Sequence, residues 1–283
     1  MGDDGLAGPA GPAGPAGRAV SGLGPEELAR LGAVAESAAR AGGDVVAAHF
    51  GRLTAGVVSK APGDYVSDVD LRSEETIRAA LAREAPGIAF FGEEGGGTRG
   101  DLWWVVDPLD GTANFLHGFP IVGVSVALVE AGRPVVGAVH GPMLGETFTA
   151  VAGGGAFRDG TPVRVAERPP ASAICNTGFP FKRKHRLDDY RRVFEGAFLS
   201  LEDLRRAGAA SLDLAWTAAG VFDGFFEIGL GSWDVAAGAL LVVEAGGVVT
   251  DWAGDPAAWL TSGDILAGPP AVHRVLLDLA TAV

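Results

Sequence analysis

A run of apolar residues that stops at a pair of carboxylates constrains this chain more than any other stretch. Leu102-Trp103-Trp104-Val105-Val106 reads as a buried strand, and Asp107-Pro108-Leu109-Asp110-Gly111-Thr112 follows at once. Pro108 lacks the N–H that a sheet ladder needs, so the strand is expected to stop there. A turn after the strand can aim Asp107, Asp110 and the Leu109 carbonyl at one point, the all-oxygen set that hard cations prefer. The N–H groups that come next, with the Thr112 hydroxyl, can meet an anion as at a helix start. A cation on one side and a phosphate on the other is the arrangement this stretch implies.

The rest of the chain bounds that idea. At 283 residues it can bury a sizeable core. Its net charge of -13 argues against a nucleic-acid partner and leaves a phosphate handler in need of cations. Cys175 is the sole cysteine, so an intramolecular disulfide is excluded, which suits a reducing compartment. No apolar run approaches the length of about 18 residues that a membrane span takes, and no signal-peptide pattern opens the chain. A cytoplasmic location without membrane contact is the expectation.

Residues 1–20 repeat Gly-Pro-Ala and read as a disordered tail. Residues 25–50 read as a helix, with Pro25 in its first turn and Leu28, Leu31 and Val34 on one face. Pro62-Gly63 marks a loop, and a second helix runs to about Glu84, capped by Ser67 or Asp70. A short strand, 88–92, ends in Glu93-Glu94. From Val122 to Val165 the pattern is antiparallel, with turns at 131–134 and at Asp159-Gly160. Gly153-Gly154-Gly155 reads as a turn, since no Lys-Ser/Thr follows to make a phosphate loop. From Ile174 onward strands and helices alternate, with strands at 174–177, 201–205, 222–228, 248–250 and 265–267. Lys182-Arg183-Lys184-His185-Arg186 is the one dense basic run, either a solvated loop or a guide for an anionic substrate or partner. Asp234 is expected to open a helix that carries no other charge before Glu244, as its N-cap or as a metal ligand.

Taken together, Gly92-Glu93-Glu94, the stretch from Trp104 to Phe115, Trp233-Asp234 and Glu244-Ala245-Gly246-Gly247 resemble, in order and spacing, the inositol monophosphatase family of magnesium-dependent, lithium-sensitive phosphatases. The resemblance covers roughly residues 25–283. It implies an α/β protein layered αβαβα, with an N-terminal α+β half (21–168) carrying most metal ligands. A C-terminal α/β half (169–283) would supply Asp234 and substrate contacts. Two or three Mg²⁺ are implied: Glu93, Asp107 and the Leu109 carbonyl hold the first, and Asp107, Asp110 and Asp234 the second. Asp70 would pair with Thr112 beside the attacking water, near a loop carrying Lys60 and Asp64. Gly111 and Thr112 would receive the phosphate, and Ala210, Glu227 and Asp234 would contact the substrate. Transfer goes directly to water, and family members are commonly homodimers.

One departure touches specificity. Gly231 stands where animal relatives have a histidine, and Ser232 where bacterial relatives usually have proline. Myo-inositol 1-phosphate is the expected substrate, with fructose 1,6-bisphosphate, 3′-phosphoadenosine 5′-phosphate, NADP and histidinol phosphate as alternatives. An aspartyl-phosphate mechanism is excluded by Pro108, which occupies the nucleophile's place two residues before Asp110. A regulatory binding protein on the same fold is the alternative from another class.

Overall fold

The computed structural model describes residues 21–52, 58–61 and 64–282. The expectation of a disordered 1–20 tail and the Pro62-Gly63 turn lie outside the described residues. In chain order the first elements are α1 (Pro25–His49), β1 (Val58–Ala61), β2 (Asp64–Val66), α2 (Asp68–Glu84), β3 (Ala89–Gly92), β4 (Gly96–Gly97), β5 (Leu102–Asp110) and α3 (Thr112–Leu116). Then come β6 (Gly123–Glu130), β7 (Arg133–Gly141), β8 (Glu146–Val151), β9 (Gly155–Arg158) and β10 (Thr161–Val163). The remainder is β11 (Ile174–Thr177), α4 (Leu187–Ser200), β12 (Asp203–Arg205), α5 (Ala210–Ala218), β13 (Gly224–Glu227), α6 (Ser232–Glu244), β14 (Val248–Thr250), α7 (Trp259–Ser262), β15 (Ile265–Gly268) and α8 (Pro270–Thr281).

Two large sheets result, one of eight strands in the order β10-β9-β8-β7-β6-β5-β3-β4 and one of five in the order β12-β11-β13-β15-β14. Side-chain alternation on β5 shows how they stack. Trp103 and Val105 point into a core shared with α5 and α6, while Trp104 and Val106 point into the core under α1 and α2. A strand buried on both faces reads as a continuous apolar run, which is what 102–106 is. Beyond the five-stranded sheet a third core joins Cys175 and Phe226 to Tyr190 and Val193 of α4 and Leu276 of α8. The layers are therefore helix, sheet, helix, sheet, helix, as expected.

Helix α6 lies in the middle layer and is buried nearly all round, from Val235 to Val242. A helix apolar on every side fits only between two sheets. Its small residues let the eight-stranded sheet come close. A Cβ at Gly137 of β7 would stand 3.0 Å from the Ala237 backbone.

Three local expectations change. The strand does not stop at Pro108. Pairing of β5 with β6 runs from Leu102↔Glu130 to Asp107↔Ser125 and resumes at Asp110↔Gly123, leaving Pro108 and Leu109 in a bulge. A bulged residue owes the ladder no N–H, so proline is tolerated there. Val58–Ala61 and Asp64–Val66, on either side of the Pro62-Gly63 pair, form an antiparallel pair, β1 with β2, for which the sequence reading named no strands. Leu201 caps α4 rather than opening β12, which starts at Asp203.

The five-stranded sheet is mixed: β11 lies parallel to β12 and β13, and β15 antiparallel to β13 and β14. The Asp159-Gly160 turn joins β9 to β10 with both residues at positive φ (49° and 75°), the type I′ geometry. The Gly153–Gly155 turn is closed to phosphate, because the Gly153 and Gly155 N–H groups donate to the Glu244 carboxylate. No described helix is long and apolar enough to cross a membrane.

Candidate metal centre

The bulge in β5 builds the site. It turns Asp107 and Asp110 to the same side, and Gly111, left-handed at φ 86°, swings the chain into α3. From the middle layer α6 contributes Asp234. One carboxylate oxygen each of Asp107, Asp110 and Asp234 falls within 4.8 Å of the others. Asp234 is not the N-cap of α6. The helix begins at Ser232, and Asp234 sits in its first turn, accepting the Gly231 N–H at 2.6 Å. Capping and facing the cluster are thus compatible roles.

Each carboxylate is held differently. Asp107 is 1% exposed; its Oδ1 accepts the Leu109 N–H at 3.0 Å, and its Oδ2 is buried with no hydrogen-bond partner. Burial, then the charges of Glu93, Asp110 and Asp234, pushes its carboxyl well above the usual range. Asp110 accepts from the Ser211 N–H at 2.7 Å and the Ser211 hydroxyl at 2.5 Å, both at the start of α5. Burial and the neighbouring Asp234 charge push it up to about 7, against the pull of Ser211 and Lys182.

Glu93 stands at the border of the group. Its N–H donates to the Val106 carbonyl at 3.1 Å, and its charge acts on Asp107, but it is not one of the three carboxylates within 4.8 Å. The loop that carries it is fixed by Glu74, a buried α2 side chain that accepts the Glu94 N–H at 2.9 Å and the Gly95 N–H at 3.0 Å.

Asp70 performs two roles that the sequence left as alternatives. Its Oδ2 accepts the Ser67 N–H at 2.9 Å and the Ser67 hydroxyl at 2.5 Å, completing a capping box on α2. Its Oδ1 accepts the Thr112 hydroxyl at 3.0 Å. The Leu109 carbonyl lies 3.1 Å from the same hydroxyl. Burial raises the Asp70 carboxyl despite these bonds.

Glu227, at the end of β13, folds over Gly178, and burial followed by the Asp234 and Asp110 charges pushes it up to about 8. Lys182 and Arg206 oppose that shift. Ala210 opens α5 next to Ser211. Lys60 and Asp64 belong to β1 and β2, and their side chains lie outside the described residues. Of the basic run, Arg186 is engaged by Asp264 at 2.7 Å and by Asp189, so it closes a turn rather than reaching outward. Ser211 and Glu74 carry no signal in the sequence, because their partners lie 101 and 20–21 residues away.

A largely buried cluster of carboxylates that repel one another, one of them with a buried oxygen that has no hydrogen-bond partner, is stable only protonated or around a cation. All the donors are hard oxygens, the set that suits Mg²⁺. Removing the Ser211 hydroxyl leaves Asp110 with one bond fewer; Ser211→Ala is expected to weaken Mg²⁺ binding by about tenfold, read by titration calorimetry.

Fold and site thus define a five-layered α/β protein with a carboxylate centre suited to a hard divalent cation. The chain belongs to the inositol monophosphatase family, whose model matches residues 27–282. It is 44% identical over 253 residues to the Nus factor SuhB of Pseudomonas aeruginosa, covering 86% of this chain and 93% of that protein. It is 41% identical over 222 residues to the inositol-1-monophosphatase of Mesorhizobium japonicum, covering 77% and 83%. Among solved structures, the extragenic suppressor protein suhB of Bartonella henselae aligns with a TM-score of 0.84 at 36% identity, over 88% of this chain and 97% of that one. The inositol monophosphatase of Anabaena aligns at 0.80 and 32% identity, over 89% and 96%.

Proposed function

We propose that the protein hydrolyses phosphate monoesters in a Mg²⁺-dependent reaction, with myo-inositol 1-phosphate as the preferred substrate. The observation that carries this reading is the convergence of Asp107, Asp110 and Asp234 within 4.8 Å, with one Asp107 oxygen buried and unpartnered. Asp107, Asp110, Asp234, Glu93 and the Leu109 carbonyl would hold the ions. Bound divalent cations neutralise a monoester dianion, lower the pKa of water and stabilise the leaving alkoxide.

The chain's own groups do the positioning. Asp70 accepts the Thr112 proton, which fixes the hydroxyl and leaves its oxygen lone pairs to orient a water. N–H groups at Gly111 and Thr112 are suited to phosphate oxygens. Water attacks phosphorus, the ester P–O bond breaks, and the products are the alcohol and inorganic phosphate. No covalent intermediate is called for. Cys175, the one thiol, is buried on the far side of β11, and burial pushes it far from ionisation.

Glu227 and Ala210 are the proposed sugar contacts. A Cβ at Gly178 would lie 2.0–2.2 Å from the Glu227 carboxyl atoms, so Gly178→Ala must displace it. The expected result is a KM for inositol 1-phosphate raised about tenfold, in line with the loss of one hydrogen bond to a charged group, with kcat and Mg²⁺ affinity little changed. Phosphate release over inositol 1-phosphate, fructose 1,6-bisphosphate, 3′-phosphoadenosine 5′-phosphate, NADP and histidinol phosphate tests the substrate. A preference for another compound would move specificity to the Gly231 loop while keeping the chemistry.

A second reading, alongside catalysis, is a regulatory binding role. It is favoured by the several relatives at 40–44% identity that bear the name Nus factor SuhB. If the 182–186 turn serves such a role, Arg183→Glu with Lys184→Glu removes binding to a reconstituted transcription complex and spares turnover.

A further inference from the structure

Asn114, inside the short helix α3, takes no part in the chemistry above. Its amide nitrogen donates to three backbone carbonyls: Ile121 at 2.7 Å, Ala207 at 2.9 Å and Gly208 at 3.3 Å. Ile121 lies in the loop between α3 and β6, and the other two in the segment that leads from β12 into α5. One side chain thus ties the end of β5, in the eight-stranded sheet, to the exit of β12, in the five-stranded one, across 93 and 94 positions of sequence. We propose that Asn114 is a positioning residue that sets the distance between the N–H groups assigned to the phosphate and the residue assigned to the sugar. This assignment rests on the phosphatase reading of the site.

Segment 207–211 is held at both ends. Asn114 takes the near end, at Ala207 and Gly208. Asp110 takes the far end, accepting the Ser211 N–H at 2.7 Å and its hydroxyl at 2.5 Å. Both holders stand on the stretch 110–114, which also carries Gly111 and Thr112. Ala210, the assigned sugar contact, opens α5 between the two ties. The ties differ in kind. The one at Asp110 shares its carboxylate with the metal centre. The one at Asn114 runs to backbone carbonyls and holds with or without an ion.

The geometry calls for a donor at this point. The Gly111 backbone packs so closely that a Cβ on it would stand 3.0 Å from the Ile121 oxygen and 3.3 Å from the Gly208 oxygen. Carbonyl oxygens that converge in this way need N–H groups between them, and one left unpaired loses free energy. An amide turned the other way would add its own oxygen to the group, so the partners fix the orientation of Asn114. Its two N–H groups serve Ile121 and Ala207, and the longer contact to Gly208 is shared. Without the amide the tie at Asp110 remains and the near end is free to drift from the turn. A shift of about 1 Å in a group remote from the reacting bond can cost about 100-fold in rate.

Asn114→Asp and Asn114→Ser test this, each checked for fold by circular dichroism. The first keeps the shape and loses both donors. The second loses the amide without gaining a charge, so a change common to the two comes from the missing bonds. For inositol 1-phosphate, or whichever compound of the panel the wild type prefers, kcat/KM is expected to fall about 100-fold, while the inhibition constant of inorganic phosphate and the dissociation constant of Mg²⁺ move less than about threefold. A merely loosened fold would weaken all three together. Hydrogen exchange without substrate is expected to quicken at least about tenfold at 206–210 and to stay unchanged in β5 and α6. Equal losses for substrate, phosphate and Mg²⁺ would overturn the proposal, and so would unchanged exchange at 206–210. A wild type that releases phosphate from no monoester overturns the functional reading instead, and the exchange alone then upholds or sinks the Asn114 tie.

Discussion

Asp107→Asn abolishes Mg²⁺-dependent phosphate release and at the same time makes the metal-free protein more heat-stable. Asp107 sits at the centre of the cluster, 1% exposed, with Glu93, Asp110 and Asp234 all acting on its charge. An asparagine keeps the shape and removes the charge. The amide N–H can take the place of the buried oxygen that has no partner and donate to neighbouring carboxylates. Relief of repulsion of about 1 kcal/mol corresponds to a Tm gain of about 2–4 °C in a chain of this size. The catalytic loss is far larger. Cation stabilisation of a phosphoryl transfer is worth several kcal/mol, or at least about a thousandfold in kcat at about 1.4 kcal/mol per decade. Thermal melts in chelator, beside phosphate release in Mg²⁺, check both halves. A variant destabilised without metal, or one still active with it, contradicts the assignment of Asp107.

The second large effect is a stability that falls with rising pH in the absence of metal and is recovered by Mg²⁺. Burial raises Asp70, and burial together with mutual repulsion raises Asp107, Asp110 and Glu227, with Asp110 at about 7 and Glu227 at about 8. Between the ordinary carboxylate range and these values the folded chain holds protons that the unfolded chain has released. Stability then decreases as pH rises through the window, because the unfolded state binds fewer protons. The metal-free Tm is expected to fall from about pH 5 to about pH 8 and to level off above that. A bound cation takes the place of those protons, so the Tm gain from Mg²⁺ should be greater at pH 8 than at pH 5. At a hundred times its dissociation constant the ion adds about 2.7 kcal/mol. That is roughly 5–10 °C. Differential scanning calorimetry across pH, with and without Mg²⁺, reads it. A metal-free Tm that rises through the window would contradict it.

Much of the fold was legible because its signals are local. The 102–106 run, the alternation from Val122 onward and the Pro25 and Asp159-Gly160 punctuation each act over a few residues, and the elements formed where those signals lie. Asp107 and Asp110 were legible for the same reason, since a strand end and a bulge bring neighbours together. Pro108 misled because a missing N–H ends a strand only where the ladder asks for one, and the bulge asks for none. Asp234 was legible as an acid at a helix start, but not its place in the first turn behind Ser232, which depends on how the Gly231 backbone enters. Asp70 looked like either a cap or a site residue because nothing nearby reveals Thr112, which reaches it from 42 positions on. Ser211 and Glu74 were hidden altogether. Each serves a group that only the layering brings near, and a serine or glutamate in a helix has no local mark of such a role.

Anomalous diffraction from crystals soaked in Mn²⁺, a hard divalent stand-in for Mg²⁺, reads the carboxylate centre directly. A strong anomalous peak is expected, coordinated by Asp107, Asp110 and Asp234, with the orphaned Asp107 oxygen as a ligand. Crystals of well-ordered protein that show no peak there at saturating Mn²⁺, or peaks only elsewhere, would contradict it.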